Sequence, residues 1–231
     1  RTQKKISEAN SELDKFVYSV SHDLRSPLLS IKGILNLIFK TTSLDEKTQQ
    51  YLKLSETSVL RLDGTIKEIL NYSRNARFEI EYDTFNLIEI IQSVTDDLRF
   101  SEESHVVFLF DMPQELMIKS DKMRLEVILK NLIGNAVKYS RKDINDAFVK
   151  IMVSKQGNEL VLKIEDNGEG IAQENLGKIF DMFYRATSSS VGTGLGLYIC
   201  KEMVQKLNGK LFVESVLKKG SIFTLILPAN F

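Results

Sequence analysis

The sequence predicts a multi-domain chain. An all-α helical hairpin that forms a four-helix bundle as a dimer is followed by an α+β sandwich. Three observations carry this. Residues 1–76 contain a single proline, Pro27, only the glycines Gly33 and Gly64, and apolar residues at spacings of three and four. After about Arg77 the texture changes to short alternating or apolar runs separated by helical stretches. The 231 residues are 43% hydrophobic and 27% charged, enough apolar material for a soluble core. The division falls at residues 1–76 and 77–231.

In the first part, Ile6, Leu13, Val17, Val20, Leu24, Ile31, Ile34 and Ile38 share one heptad frame, which also holds Pro27. Leu52, Val59, Leu62, Ile66 and Ile69 fit a second. Between them, TTSLDEK (41–47) reads as a turn and a helix start. Two amphipathic helices bury their stripes poorly alone, and pairing two hairpins solves this, so a homodimer is expected. In the second part, strands are expected at HVVFLFD (105–111), AFVKIMVS (147–154), ELVLKIED (159–166), KLFVES (210–215) and SIFTLIL (221–227). Helices are expected near 86–99, 121–140 and 195–208, giving one sheet with helices on one face.

Lys plus Arg number 31 and Asp plus Glu 31, so the zero net charge offers no electrostatic case for nucleic acid or an anionic membrane. One cysteine, Cys200, excludes an intrachain disulfide and fits a reducing compartment. No apolar run approaches the roughly 18 residues of a membrane span. The N-terminus RTQKKISEAN lacks a methionine and a signal-peptide core, so the chain reads as a piece of something longer.

Residues 21–28, SHDLRSPL, place a histidine beside an aspartate and a proline five positions on. With Val17 at heptad position a, His22 falls at f, the position farthest from the seam, which disfavours a core histidine. An exposed imidazole is a nucleophile, largely neutral at pH 7 given an ordinary pKa of about 6.5. Asp23 is either a solvated surface charge or the acceptor for one ring nitrogen, leaving the other nitrogen free to attack. Pro27 withholds an N–H from the helix. It either ends the helix or kinks it, and the unbroken heptad frame favours a kink beside His22.

Four stretches of the second part carry chemistry. In NLIGNAVKYS (131–140), Asn131, Asn135, Lys138 and Tyr139 fall within roughly a 100° arc of a helix, next to an apolar face of Leu125, Leu129, Leu132 and Ala136. These polar groups are either a solvated face or a set offering metal, phosphate and aromatic contacts. In DNGEGI (166–171), Asp166 continues the inward parity of Leu160, Leu162 and Ile164, and an inward carboxylate needs a donor. An adenine amino group supplies one, with Gly168 and Gly170 allowing a flat ring close approach. The alternative is a plain Asp-Asn-Gly turn. IFDMFYRA (179–186) is either a hydrophobic plug or part of a site. GTGLGLYI (192–199) puts glycines before a helix start, where backbone N–H groups meet phosphates. There is no GxGxxG, no GxxxxGK[ST] and no eukaryotic-type kinase motif.

These motifs, in this order and over essentially the whole chain, resemble the catalytic core of two-component sensor histidine kinases. SHDLRSPL looks like the H box, NLIGNAVKYS the N box, DNGEGI and GTGLGL the G boxes, and IFDMFYRA the F box. The second half alone resembles the wider gyrase, Hsp90 and MutL clan of ATPases; the histidine hairpin selects the kinase branch. The resemblance implies that His22 is the phosphoacceptor and Asp23 its activating acid. Asn135 would hold Mg²⁺, with Asn131 near the metal and phosphates, Lys138 on phosphate and Tyr139 bordering the nucleotide. Asp166 would bind the adenine amino group, and Gly168, Gly170 and Ile171 would shape its pocket. Phe180 and Phe183 would brace an ATP lid at 186–196 containing Gly192, Thr193, Gly194, Leu195 and Gly196, and Arg185 would reach the phosphates. Where many members carry Thr or Asn to position water for dephosphorylating the partner, this chain has Ser26, which keeps a hydroxyl.

The expected activity is ATP-dependent autophosphorylation of His22, then transfer to an aspartate of a response regulator. The alternatives are a predominantly response-regulator phosphatase and a non-catalytic ATP-binding relay module. ATP and Mg²⁺ are the implied cofactors. A second copy, a response regulator receiver domain and an upstream sensor domain are the implied partners, and the cytoplasm is the implied location.

Overall fold

The computed structural model describes residues 24–40, 45–77, 79–99, 106–186 and 193–228. His22, Asp23 and Gly192 lie outside them, as does the heptad frame before Leu24. The chain divides into two compact units, Arg1–Phe78 with Ser189–Leu195, and Glu79–Ser188 with Gly196–Phe231.

The first unit holds α1, helical over 24–40, and α2, Glu46–Arg77. The helix runs through Pro27 rather than ending there. Asp45 starts α2: its carboxylate accepts the Thr48 N–H at 3.0 Å and the Thr48 hydroxyl at 2.5 Å. This is the side-chain cap that satisfies an orphan donor of the first turn. Val59 and Ile66 of the second frame are buried, as is Leu35, which lies outside the first; Leu24, Ile31, Ile34 and Leu62 of the two frames stay exposed. Arg25 joins α1 to Asp63 of α2 at 3.7 Å. Among the described residues no helix is long and apolar enough to cross a membrane.

The second unit runs β1 (Asp83–Asn86), α3 (Leu87–Arg99), β2 (Val107–Asp111), β3 (Met117–Ser120), α4 (Lys122–Lys138), β4 (Phe148–Gln156), β5 (Glu159–Asp166), α5 (Gln173–Leu176), α6 (Gly196–Lys206), β6 (Lys210–Val216) and β7 (Gly220–Pro228). A five-stranded sheet has the order β2-β4-β5-β7-β6; β1 and β3 form a separate antiparallel pair. The β2–β4 pair is parallel and the rest of the large sheet is antiparallel. A parallel pair needs a long crossover, and here it contains β3 and α4, which lays α4 across the sheet.

Alternation decides which face is covered. Val149, Ile151 and Val153 of β4, Leu160, Leu162 and Ile164 of β5, and Phe223, Leu225 and Leu227 of β7 are buried. Leu125, Ile128, Leu129, Leu132 and Ile133 of α4 and Ile199, Met203 and Val204 of α6 are buried with them. Each such side chain contributes about 1.5–3 kcal/mol when fully buried. Cys200 is buried with its thiol 3.9 Å from the Ile128 carbonyl of α4. The small β1–β3 pair and the short α5 were not among the expected elements; the expected strands and long helices are all present, with ends shifted by a few residues.

Candidate active site

The sheet places a polar row at one end of its covered face. Ladder register sets Asp166 of β5 opposite Ser221 of β7, and Ser221 opposite Ser215 of β6. Side chains of directly paired residues share a face. Asp166 and Ser221 are buried, one step along from the apolar row of Ile164, Phe223 and Val213. Burial pushes the Asp166 carboxyl up to about 6; the backbone N–H groups of Gly168 and Ser221 oppose this, and the Glu165 charge adds to it. The inward parity read from ELVLKIED is what the structure contains.

The loop after β5 is fixed from both sides. Asn167 accepts the Phe148 N–H at 2.8 Å and donates to the Asp146 carbonyl at 2.9 Å. The Gly168 N–H donates to Asp166 at 2.9 Å, and the Glu169 N–H reaches the Tyr139 carbonyl at 2.9 Å, binding the loop to the end of α4. A Cβ on Gly168 would lie 2.4 Å from the Tyr139 carbonyl oxygen. Gly170 has φ +65, where side chains strain the backbone, and a Cβ there would lie 2.1 Å from the Val216 carbonyl oxygen. Ile171 N–H donates to the Ser215 hydroxyl at 2.8 Å.

Helix α4 begins at Asp121, whose carboxylate caps the Arg124 N–H at 3.0 Å and pairs with the Arg124 guanidinium; both residues are buried. The buried side of α4 includes Leu125, Leu129, Leu132 and Ala136, leaving Asn131 and Asn135 half-buried at its edge. Asn131 donates its amide to the Val127 carbonyl at 2.9 Å. Its oxygen is left facing Gly196, where an added Cβ would sit 2.5 Å away. Lys138 holds its amine 4.7 Å above the Tyr139 ring, a cation–π contact.

Phe180 is half-buried and Phe183 exposed. Phe183 has φ +63, a genuine outlier for a bulky side chain. Its neighbour Tyr184 anchors the turn through a hydroxyl donated to Asn175 at 2.8 Å. Strain of this kind persists where the surroundings over-determine it. Arg185 is half-buried beside them. Thus Asn131, Asn135, Lys138, Tyr139, Asp166, Gly168, Gly170, Ile171, Phe180, Phe183, Arg185 and Gly196 all belong to the second unit.

Thr193, Gly194 and Leu195 group with the first unit. There Thr193 donates its hydroxyl to Glu68 of α2 and accepts the Leu195 N–H at 3.1 Å. Ser26 is exposed on α1, its carbonyl accepting the Ser30 hydroxyl at 3.2 Å. Sequence reasoning missed Ser221 and Ser215. The alternation of SIFTLIL, with Phe223, Leu225 and Leu227 inward, already put Ser221 inward; the pairing that brings Ser215 beside it is long-range.

Residues 12–77 match the His Kinase A (phospho-acceptor) domain, and residues 120–230 match the histidine kinase-, DNA gyrase B- and HSP90-like ATPase domain. This chain belongs to the histidine kinase family. The kinase core is 28% identical over 227 residues to the sensor histidine kinase WalK of Bacillus subtilis, covering 95% of this chain and 37% of WalK. It is 31% identical to hybrid signal transduction histidine kinase A of Dictyostelium discoideum, over 96% of this chain and 11% of that protein. It is 30% identical to the aerobic respiration control sensor protein ArcB of Escherichia coli, over 99% of this chain and 30% of ArcB. The kinase core therefore spans well under half the length of these relatives.

Among solved structures, histidine kinase ThkA in complex with the response regulator protein TrrA superposes with a TM-score of 0.64 at 25% identity, covering 99% of this chain and 65% of that one. Full-length ShkA, solved with AMPPNP, gives 0.72 at 23% identity, covering 93% and 46%, and shares the fold. The kinase core thus joins a helical phosphoacceptor domain to an ATPase-type α/β domain.

Proposed function

We propose that this chain phosphorylates its own His22 from ATP and passes the phosphoryl group to an aspartate of a response regulator. The observation that carries the ATP half is Asp166: a buried carboxylate at the covered end of the sheet, next to a glycine loop packed closely against the Tyr139 and Val216 backbone. In this reading Asp166 accepts a hydrogen bond from the adenine amino group, and Gly168, Gly170 and Ile171 form the wall against the ring. Tyr139 borders the nucleotide, and Lys138 and Arg185 neutralise phosphate charge. By the family resemblance, Phe180 and Phe183 would brace a lid that contains Gly192, Thr193, Gly194, Leu195 and Gly196.

The residues present fit Mg²⁺. Amide oxygens suit a hard cation, Asn131 keeps its oxygen free of the helix, and the absent side chain at Gly196 leaves room beside it. Asn135 and Asn131 would hold the ion, which when bound draws charge off the phosphates. Among the described residues no cluster of His, Cys, Asp or Glu offers a rival metal site.

At the phosphoacceptor, a lone pair on His22 attacks the γ-phosphorus as the bond to the ADP oxygen breaks. Asp23 holds the other ring nitrogen. A loose phosphoryl-transfer transition state asks mainly for positioning and charge neutralisation. Ser26, exposed on α1, keeps a hydroxyl where many members of the family carry Thr or Asn, a departure that favours the kinase reading over the phosphatase one.

The working division is a dimerisation and phosphotransfer hairpin at 1–76 and an ATP-binding domain at 77–231. The exposed stripe of Leu24, Ile31 and Ile34 supports a homodimer. The likeness to ThkA, solved with TrrA, supports a receiver-domain partner. The single cysteine, Cys200, and the use of ATP support a cytoplasmic position, with sensor domains elsewhere in a longer protein.

The test is incubation with Mg²⁺ and γ-labelled ATP, beside His22→Gln. Acid-labile, base-stable label that is absent from the variant supports the reading. Absence of label in a protein that binds ATP overturns the autokinase reading for this chain.

A further inference from the structure

The polar row contains one hydroxyl whose proton can be placed. Ser215 Oγ lies 2.8 Å from the Gly220 carbonyl, 2.9 Å from Ser221 Oγ, and accepts the Ile171 N–H at 2.8 Å. A carbonyl only accepts, so the single proton of Ser215 goes to Gly220. The Ile171 N–H occupies one lone pair of Ser215, and the other is left for Ser221. The Ser221 proton therefore points at Ser215.

This leaves Ser221 with lone pairs only. Ser221 is the direct cross-strand neighbour of Asp166, and both are buried. An ionised carboxylate is likewise an acceptor only. Two acceptors side by side, with no donor hydroxyl between them, demand hydrogens from whatever binds there. Burial makes a mismatch costly, because an unpaired polar group away from water loses its solvation.

We propose that Ser215 is a positioning residue that sets the base selectivity of this site: by taking up the Ser221 proton it keeps the polar row accept-only, so that the row takes a 6-amino purine and rejects a 6-oxo purine. The inference rests on the nucleotide-binding reading above and deepens it. Ser215 acts through Ser221 and is not itself required to touch the base.

The probes are ATP and ITP, which differ at position 6 and in the proton on N1. Their affinities are measured by calorimetry at pH 8 on the full chain, for the native protein, Ser215→Ala and Ser215→Thr. In Ser215→Ala the Ser221 hydroxyl is free to turn and donate to the 6-oxo group. The ATP-over-ITP preference is then expected to shrink by about tenfold, the scale of one hydrogen bond changing sense. Ser215→Thr keeps a hydroxyl on the same Cβ and is expected to hold the native ratio.

Equal weakening of both nucleotides in Ser215→Ala, with the ratio unmoved, would assign Ser215 a structural role and overturn the proposal. If Ser215→Ala does not fold, Ser221→Ala decides: it removes the acceptor and should narrow the ratio, and an unchanged ratio overturns the proposal. A native protein that prefers ATP but shows an unmoved ratio in these variants sinks this inference alone. A native protein that binds neither nucleotide sinks the ATP reading with it.

Discussion

At the residue scale, the burial of Asp166 costs stability. Its folded pKa of about 6 lies above the ordinary aspartate value of 3.8, so between these values the folded state holds more proton than the unfolded state. Stability therefore falls as pH rises through that window, by about 3 kcal/mol in all, and the loss is complete above pH 6. Asp166→Asn removes the titration. Urea unfolding of the nucleotide-free protein should show the variant more stable than the native chain by about 1–3 kcal/mol at pH 7.5. The difference should vanish near pH 4. The same variant should bind ATP about 10- to 100-fold more weakly at pH 7.5, having lost a charged acceptor. In the native protein, ATP affinity should fall as pH drops through about 6, where the acceptor becomes protonated. A flat calorimetric profile between pH 5 and 8 would show that the ligand does not use this carboxylate.

At the element scale, α4 is held at both ends. At its start, the buried Arg124 guanidinium meets Asp121 and also donates to the Glu79 carbonyl at 3.3 Å; Asp121 accepts the Glu81 N–H at 3.3 Å. Asp121→Ala would remove a helix cap and take the carboxylate from beside a buried cation, so a loss of about 3–5 kcal/mol is expected in denaturant titrations. The double change Asp121→Leu with Arg124→Met should cost less, because the buried charge goes together with its carboxylate. At its other end, α4 meets the glycine loop. Gly170→Ala forces a side chain into a positive-φ position against the Val216 backbone, and a loss of at least about 2 kcal/mol should appear in thermal unfolding. Much of this scale was legible in the sequence. The long apolar strands and the α4 stripe announce themselves by period, and Asp166 by parity. The β1–β3 pair did not: four-residue strands such as DTFN and MIKS carry too little alternation to register, and their pairing spans the whole of α3 and β2. Ser215 was hidden for the same reason, since only the folded ladder brings it to Ser221.

At the scale of the whole molecule, the first unit leaves apolar stripe residues in water. Leu24 is 50% exposed, Ile31 44% and Ile34 56%, while Leu35, next to Ile34 in the chain, is 6% exposed. The hairpin thus uses one side of α1 for itself and presents another. Ile31→Glu with Ile34→Glu should shift the chain from dimer to monomer in light scattering; a native chain that already scatters as a monomer would remove the homodimer from the reading. The second unit contains its own reporter of integrity. Cys200 is the sole thiol of the chain and is sealed between α6 and α4. A thiol reagent can reach it only when those helices part, so the labelling rate reads the frequency of that opening without any engineered probe. Since α4 carries Asn131 and Asn135 and α6 begins at Gly196, a nucleotide gripping both helices should slow that chemistry in proportion to its occupancy. A colorimetric thiol assay then becomes a direct gauge of ligand-induced closure in the unmodified protein.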